Sequence, residues 1–395
     1  MIFQALDDKS ECVGIYCDGE LSFEEIPNNL SKTWGYANFL SEYDIEYASL
    51  YCGGKSLTEM CPSHLLERWE HVSRRLRAFI RANKIAKVSI EENCFFDVTP
   101  ARFMKEFCQI KNEICEWIFE KYDRPENYEH LLMVQKVLTE IKYQKMNLDL
   151  KPLMTYWADR KAKLLYKKFT NRDAYCDYNI FGSITGRLGL NKGSFPLLNL
   201  KREHREIIKP NNDFFVELDY NAAEARVVLS LLDIEQPTDD IHEHHAKHLY
   251  RGSMSRAEAK KRFFAWLYNP NSEDHLSNSQ YNREQILKQH YMNDYVETLF
   301  GRKIKCDDFH AFNYLIQSTC ADMVLDRMVA IHGMLKGRKS CVAFTLHDSI
   351  ILDFSSDDRD LIKSIVEEYR NTELGVFKTT VSAGKDLYNL KSINI

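Results

Sequence analysis

The stretch from Phe214 to Leu232, FFVELDYNAAEARVVLSLL, constrains this chain more than any other. Phe214, Phe215, Val216 and Leu218 form a short apolar run that ends at Asp219, and Ala223, Val227, Val228 and Leu231 then repeat at helical spacing. A strand delivers a carboxylate to the start of a helix. A second stretch, CVAFTLHDSIILDF from Cys341, sets two β-rich runs on either side of His347, Asp348 and Ser349, the pattern of a hairpin with Asp348 at its tip. Two carboxylates on neighbouring strand ends can hold a pair of divalent cations a few ångströms apart, as in-line displacement at phosphorus requires. Taken singly, either Asp is explained as well by the preference of Asp for turns.

The order of further motifs decides between those readings. TGRL (Thr185, Gly186, Arg187, Leu188) precedes the Asp219 block, and DIHEHHA from Asp240, SRAEAKKRFFAWLY from Ser255, YVETLFGRK from Tyr295, NYLIQSTCAD from Asn313 and LHDS from Leu346 follow it. In this order they resemble the polymerase domain of family A DNA polymerases, the DNA polymerase I type, over Thr185 to Leu387. The resemblance implies an α+β right-hand polymerase fold with palm, fingers and thumb, preceded by a small N-terminal α/β domain. The expected segments are 1–120 for an accessory or degenerate exonuclease-like domain, 121–205 for the thumb and the start of the palm, 206–250 for the palm with the first metal Asp, 251–312 for the fingers, and 313–395 for the palm with the second.

The same resemblance implies the chemistry. Asp219 and Asp348, with the backbone carbonyl of Tyr220, would bind two Mg²⁺, for which Mn²⁺ can substitute, and the reaction would be template-directed addition of dNTPs to a primer. Ser349 stands where the family usually has Glu, so a third carboxylate is missing there. Arg187, Asn199, Asn313, Gln317 and His347 match positions that contact primer-template DNA, His242 matches a nucleotide contact, and Glu224 matches the residue that closes the pocket against a 2′-hydroxyl. Replication accessory proteins are partners such an enzyme can recruit.

The stretch from Arg256 to Tyr268 is the second chemical centre. Ser255 and Glu258 make a capping box before it, and Asn269 with Pro270 ends it. Arg256, Lys260, Phe264 and Tyr268 recur every fourth residue, drifting by only about 40° per step, so two cations and two aromatics share one face. This face resembles the family's nucleotide-binding finger helix, which implies that the cations meet an incoming triphosphate and the aromatics stack on bases. Ala265 and Asn269 replace the glycines usual in the family, and the intervals around this helix are short, which predicts trimmed fingers.

Ahead of these motifs the signals are weaker. Phe3–Leu6 and Val13–Cys17 predict a hairpin around DDKSE, and Leu65–Ala82 an amphipathic helix. Asp18 and Glu20 have the spacing of a proofreading carboxylate pair, but Asp18-Gly19 reads better as a turn, and no further carboxylates complete a nuclease site. From Pro125 to Phe169 two helices are expected, broken near Asn147–Pro152, the second carrying Arg160, Lys161, Lys163, Lys167 and Lys168. That basic arm fits a thumb holding duplex by its phosphates.

A net charge of −5 excludes a protein that coats nucleic acid by bulk electrostatics, so any basic surface must be local. The 11 cysteines form no CxxC pair or zinc-spaced array, which predicts free thiols in a reducing compartment. No signal peptide, long apolar run or lipidation motif is present, so the expectation is a protein without a membrane partner, in the cytoplasm of a bacterium or of a virus-infected cell. Two rival readings carry different signatures. A single-subunit RNA polymerase would share the metal aspartates but wants a small residue at Glu224, and a catalytically silent DNA-binding relative would not keep Asp219, Asp348, Arg256, Lys260 and Tyr268 together.

Overall fold

A computed structural model describes residues 4–5, 14–23, 26–27, 30–88, 93, 95 and 97–395. The chain divides into two compact units, Met1–Thr139 and Glu140–Ile395.

In the first unit, β1 (Gln4–Ala5) pairs antiparallel with β2 (Ile15–Cys17). The expected turn DDKSE, with Phe3, Leu6 and Val13, lies outside the described residues. β2 turns straight back into β3 (Glu20–Ser22) through Asp18 and Gly19, whose φ values of 50° and 89° suit a two-residue hairpin turn. Glu20 is taken by Lys105 at 2.6 Å. The core of this unit lies between α1 (Leu66–Ile85) and α2 (Ala101–Lys121), where Trp69 and Val72 pack with Phe103, Met104, Ile110 and Ile114. The helix expected over Leu65–Ala82 is thus present and runs three residues further.

α3 (Tyr128–Tyr143) carries Leu131, Val134, Val137, Leu138 and Ile141 buried at helical spacing. Between it and α4 (Arg160–Phe169) the chain is more ordered than a simple break. Asn147–Leu148 pairs with Ile208–Lys209, the Asn147 amide donates to the Pro210 carbonyl at 2.9 Å, and a 3-10 turn covers Lys151–Tyr156. The partners of this connector lie far downstream, where local sequence patterns do not reach.

The second unit is built on β4 (Phe214–Tyr220), followed by α5 (Ala223–Leu231), α6 (Ile241–His244) and α7 (Arg256–Tyr268). Then come α8 (His275–Gln280), α9 (Arg283–His290) and a small sheet of β5 (Tyr291–Met292), β6 (Tyr295–Glu297) and β7 (Lys303–Lys305). The long helix α10 (Asp308–Leu335) leads to β8 (Cys341–Leu346), β9 (Ser349–Phe354), α11 (Ile362–Arg370), β10 (Thr379–Gly384) and β11 (Lys391–Ser392). The main sheet runs in the order β8-β9-β4-β10-β11 with every pair antiparallel. β9 is buried at all its positions, as a strand near the middle of a sheet should be. α10 packs against α5, α11 and β8 and is apolar around most of its girth for that reason.

No described helix is long and apolar enough to cross a membrane. The described cysteines are free thiols.

Candidate active site

Two tight corners bring the carboxylates together. β4 passes to α5 through Asn221 and Ala222, and Ala222 takes the left-handed conformation (φ 53°, ψ 57°), which costs a non-glycine residue roughly 1 kcal/mol. Arg226 offsets that strain from below. Its fully buried guanidinium donates to the carbonyls of Asn221 at 2.8 Å, Pro237 at 3.0 Å and Asp239 at 3.1 Å. The other corner is the β8–β9 hairpin, where His347 has φ 57° and Asp348 follows it. Register sets Asp219 directly opposite Ser349, the neighbour of Asp348.

A third element ties the corners to each other. The Tyr369 hydroxyl, from α11, donates to the Asp348 carbonyl at 2.8 Å. Its ring stacks on Tyr220 with centroids 4.1 Å apart, and the Tyr220 hydroxyl donates to the Tyr369 carbonyl at 2.5 Å. Tyr369 was not singled out from sequence, since it falls outside every motif.

The electrostatics of this end of the sheet are unbalanced. Burial, reinforced by the charges of Glu217 and Asp348 and opposed by Lys260, pushes the Asp219 carboxyl up to about 7. Glu217 lies two residues before Asp219 on the same strand face, so the alternation in V-E-L-D already aligned the two carboxylates. Its Oε1 faces the Ser349 hydroxyl at 3.5 Å, while that hydroxyl donates to the Leu346 carbonyl at 3.0 Å.

Among the described residues no group of three or more His, Cys, Asp or Glu side chains forms a cage for a metal ion. Mg²⁺ does not demand one, since it is commonly held by one or two carboxylates, waters and substrate phosphates. Asp219, Asp348 and the Tyr220 carbonyl are hard oxygen donors of that kind.

Glu224 sits in the first turn of α5 and is 4 % exposed. Burial, helped by the charge of Asp348, keeps its carboxyl raised above the usual range against the opposing pull of Tyr268 and Arg187. The Tyr268 hydroxyl donates to Glu224 at 2.5 Å, and Arg187 bonds to the other carboxylate oxygen. Arg187 also lies 4.0 Å from Asp348. Beneath it, Gly186 has φ 75° and lies so close to the Arg302 guanidinium that a Cβ would fall 2.5 Å from it. Arg302 is itself locked on buried Asp322 at 2.6 Å. The glycine of TGRL is required by that contact.

α7 has the expected boundaries and caps. The Ser255 and Glu258 capping box is complete, and Asn269 ends the helix. Tyr268 stacks on Phe264 with centroids 5.6 Å apart, and the Lys260 ammonium lies 5.9 Å from the Phe264 ring. Arg256 is engaged differently from its neighbours on this face. Its guanidinium grips Asp240 with bonds of 3.0 and 2.6 Å, and Asp240 also accepts from Asn221 at 2.8 Å. Burial works against the Asp240 charge, but the bonds from Arg256, Asn221 and the Glu243 N–H hold its carboxyl well below the usual range. At the far end of α7, Arg283 donates to the carbonyls of Trp266 at 2.5 Å and Pro270 at 2.8 Å, which secures the end that carries Ala265 and Asn269.

The remaining expected residues are spread around this centre. His242 is buried beside Phe264, with burial pushing its imidazole down to about 4, and neither ring nitrogen has a hydrogen-bond partner among the described residues. Asn313 and Gln317 are half-buried and one turn apart on α10, and His347 is exposed at the hairpin tip. Asn199 lies elsewhere, exposed in a surface cleft with Lys161, Lys168 and Lys201. Cys320, another residue missed in the sequence, is a buried thiol in the fields of Asp348, Glu224 and Arg187.

No protein-family model and no curated protein matches the chain. Among solved structures it is similar to the POL domain of Pol1 from M. smegmatis, in a complex with DNA primer-template and dNTP. The TM-score is 0.59 at 13% sequence identity, covering 87% of this chain and 82% of that one. At that identity the likeness is one of fold: this mixed helix-and-strand chain resembles a DNA polymerase domain.

Proposed function

We propose that the chain is a template-directed DNA polymerase that adds deoxynucleotides to a primer 3′ end. The observation that carries this reading is the convergence of Asp219 and Asp348 at one end of β4 and β9, within the field of Lys260 from the aromatic face of α7. In this reading the main sheet is the palm, α7 to β7 the fingers, and α3 with the basic α4 the thumb. Residues 1–120 are an accessory or degenerate exonuclease-like domain.

In the reaction the primer 3′-oxygen bonds to the α-phosphorus of the dNTP, the bond from that phosphorus to the bridging oxygen breaks, and pyrophosphate leaves. The 3′-hydroxyl proton passes to solvent. Asp219, Asp348 and the Tyr220 carbonyl would hold two Mg²⁺ or Mn²⁺ ions, which supply activation of the 3′-hydroxyl and neutralisation of the leaving group. Glu217 adds a carboxylate beside Ser349, where the family has its Glu. Lys260 meets the triphosphate, Phe264 and Tyr268 stack on bases, and Glu224 blocks a 2′-hydroxyl with Tyr268 braced against it. Arg187, Asn313, Gln317 and His347 line the path of primer-template DNA.

Primer extension with Mg²⁺ and either dNTPs or NTPs tests the proposal. Extension with dNTPs is expected. Preference for NTPs would favour an RNA polymerase, and DNA binding without extension by either would favour a silent relative.

A further inference from the structure

One face of α1 in the first unit carries a row of cations that the fold does not use. Arg74, Arg77, Arg81 and Lys84 are all exposed, and none has an ion pair or hydrogen bond among the described residues. The other arginines of the helix are taken, Arg68 by Glu113 at 2.6 Å and Arg75 by Glu106. At about 100° and 1.5 Å per residue, the four unpaired cations lie within an arc of about 80° and span about 15 Å. Trp69, Val72, Leu76 and Phe79 point the opposite way, into the core of the first unit.

This row is a local concentration of charge. From His71 to Val88 there is no Asp or Glu, in a chain whose net charge is −5. Like charges three and four residues apart on a helix repel by a few tenths of a kcal/mol per pair, so the row costs stability. The helix dipole favours cations in the last turn, which accounts for Lys84 but not for Arg74 or Arg77.

We infer that this face of α1 binds the phosphate backbone of duplex nucleic acid, through residues of the first unit alone. Arginine is the side chain whose planar fork matches a phosphate in two bonds. The row offers no exposed aromatic ring, so it lacks the stacking platform that single strands require. Most of the apolar side of α1 packs into the core, and the apolar residues left exposed, Leu66, Ile80 and Ile85, lie apart along the helix instead of forming the continuous face that an amphipathic membrane helix inserts. Contact with phosphates alone is blind to sequence and steeply salt-dependent. The inference stands whether or not the second unit is a polymerase, since it uses residues of the first unit alone.

The test is binding of the full chain to a fluorescent duplex across a salt series, with no nucleotide present. Neutralising three cations in an Arg74→Ala, Arg77→Ala, Arg81→Ala variant should lower the slope of log K against log salt by close to 3, at about 0.9 per phosphate contact. The corresponding triple lysine variant should retain most of that slope, and Lys55→Ala, off this face, should leave it unchanged. A slope unaltered by the alanine variant overturns the inference. So does equal loss in the alanine and lysine variants, which would mean that the arginines support the fold. Binding to anionic phospholipid vesicles that falls in the alanine variant while the duplex slope holds would likewise overturn it, in favour of a membrane surface.

Discussion

The two ends of the β4–β9 pair give their carboxylates different neighbours, although burial raises the carboxyl at both. At one end, Asp353 is buried and accepts the backbone N–H groups of Asn211 and Asn212 at 2.7 and 2.9 Å, and nearby Asp358 accepts the Ser340 N–H and hydroxyl, both at 2.7 Å. These aspartates do what turn aspartates do, which is to satisfy backbone donors. At the other end, Asp219 has Glu217 and Asp348 for neighbours, and its carboxyl is driven up to about 7. A fold gains nothing from carboxylates held against one another, whereas a site for cations needs them. The comparison sets aspartates that satisfy backbone donors against carboxylates that face one another, at the two ends of one strand pair.

The sharpest way to break that comparison is to neutralise each end in turn. Asp219→Asn and Asp348→Asn should lower primer extension by several orders of magnitude, about 10³-fold or more, with primer-template binding retained. Asp353→Asn should instead cost stability, on the order of 1–3 kcal/mol, because it leaves a buried N–H without an acceptor. Extension and denaturant midpoints measured on all three variants would show whether the ends differ. If Asp353→Asn abolishes extension at normal stability, or Asp219→Asn extends normally, the division fails.

The front face of α7 offers a second contrast. Among the described residues Lys260 makes only a loose contact with Phe264, while Arg256 is already bound to Asp240. Lys260→Ala should therefore raise the KM for dNTP by roughly 10- to 100-fold, the loss of one charge-assisted contact of about 1.5–3 kcal/mol. Arg256→Ala should show a smaller KM change together with a lower Tm, since Asp240 loses its ion-pair partner at the start of α6 and keeps only neutral donors there among the described residues. Equal KM effects at unchanged Tm would mean that Arg256 leaves Asp240 to reach the triphosphate.

That contrast also marks how much could be read in advance. The turn from β4 into α5, the hairpin around Asp348 and the capping box on α7 were legible because each is encoded within about a dozen consecutive residues. The partners were not. The grip of Arg256 on Asp240, the burial of Glu224 between Arg187 and Tyr268, and the anchoring of Asp348 by Tyr369 all join separated segments. Periodicity reports which face a residue occupies, not what the facing element brings to it. Glu217 is the exception, since its alternation with Asp219 was visible, and the motif's missing carboxylate drew attention to residue 349 instead.

Glu224 tests the comparison at the sugar. Its carboxylate is buried like that of Asp353, but its partners are side chains from α7 and the TGRL turn rather than backbone amides. Glu224→Ala should raise incorporation of ribonucleotides relative to deoxynucleotides by at least about 10-fold, roughly 1.4 kcal/mol, and should also weaken dNTP use because Tyr268 loses its brace. Competition between dNTP and NTP in single-nucleotide extension measures the ratio. A wild-type protein that takes both sugars equally, with no change on substitution, would exclude a gate here.

The last expected effect is on stability, and it follows from the sign of the Asp219 shift. An unfolded Asp titrates near 3.9, whereas burial and the charges of Glu217 and Asp348 push the folded carboxyl up to about 7. The folded state then holds its proton more tightly than the unfolded state. Its favourable contribution is complete below about pH 4 and is lost as pH rises through about 7. Asp219→Asn, which carries no charge, escapes that loss. In chelator, its Tm should match the wild type near pH 4 and exceed it at pH 8, by about 2–4 °C for each kcal/mol involved. Adding Mg²⁺ should narrow the gap at pH 8, because a bound cation stabilises only the wild-type carboxylate. Scanning calorimetry across that range measures both, and equal Tm values at pH 8 in chelator would mean that Asp219 is as well satisfied as Asp353.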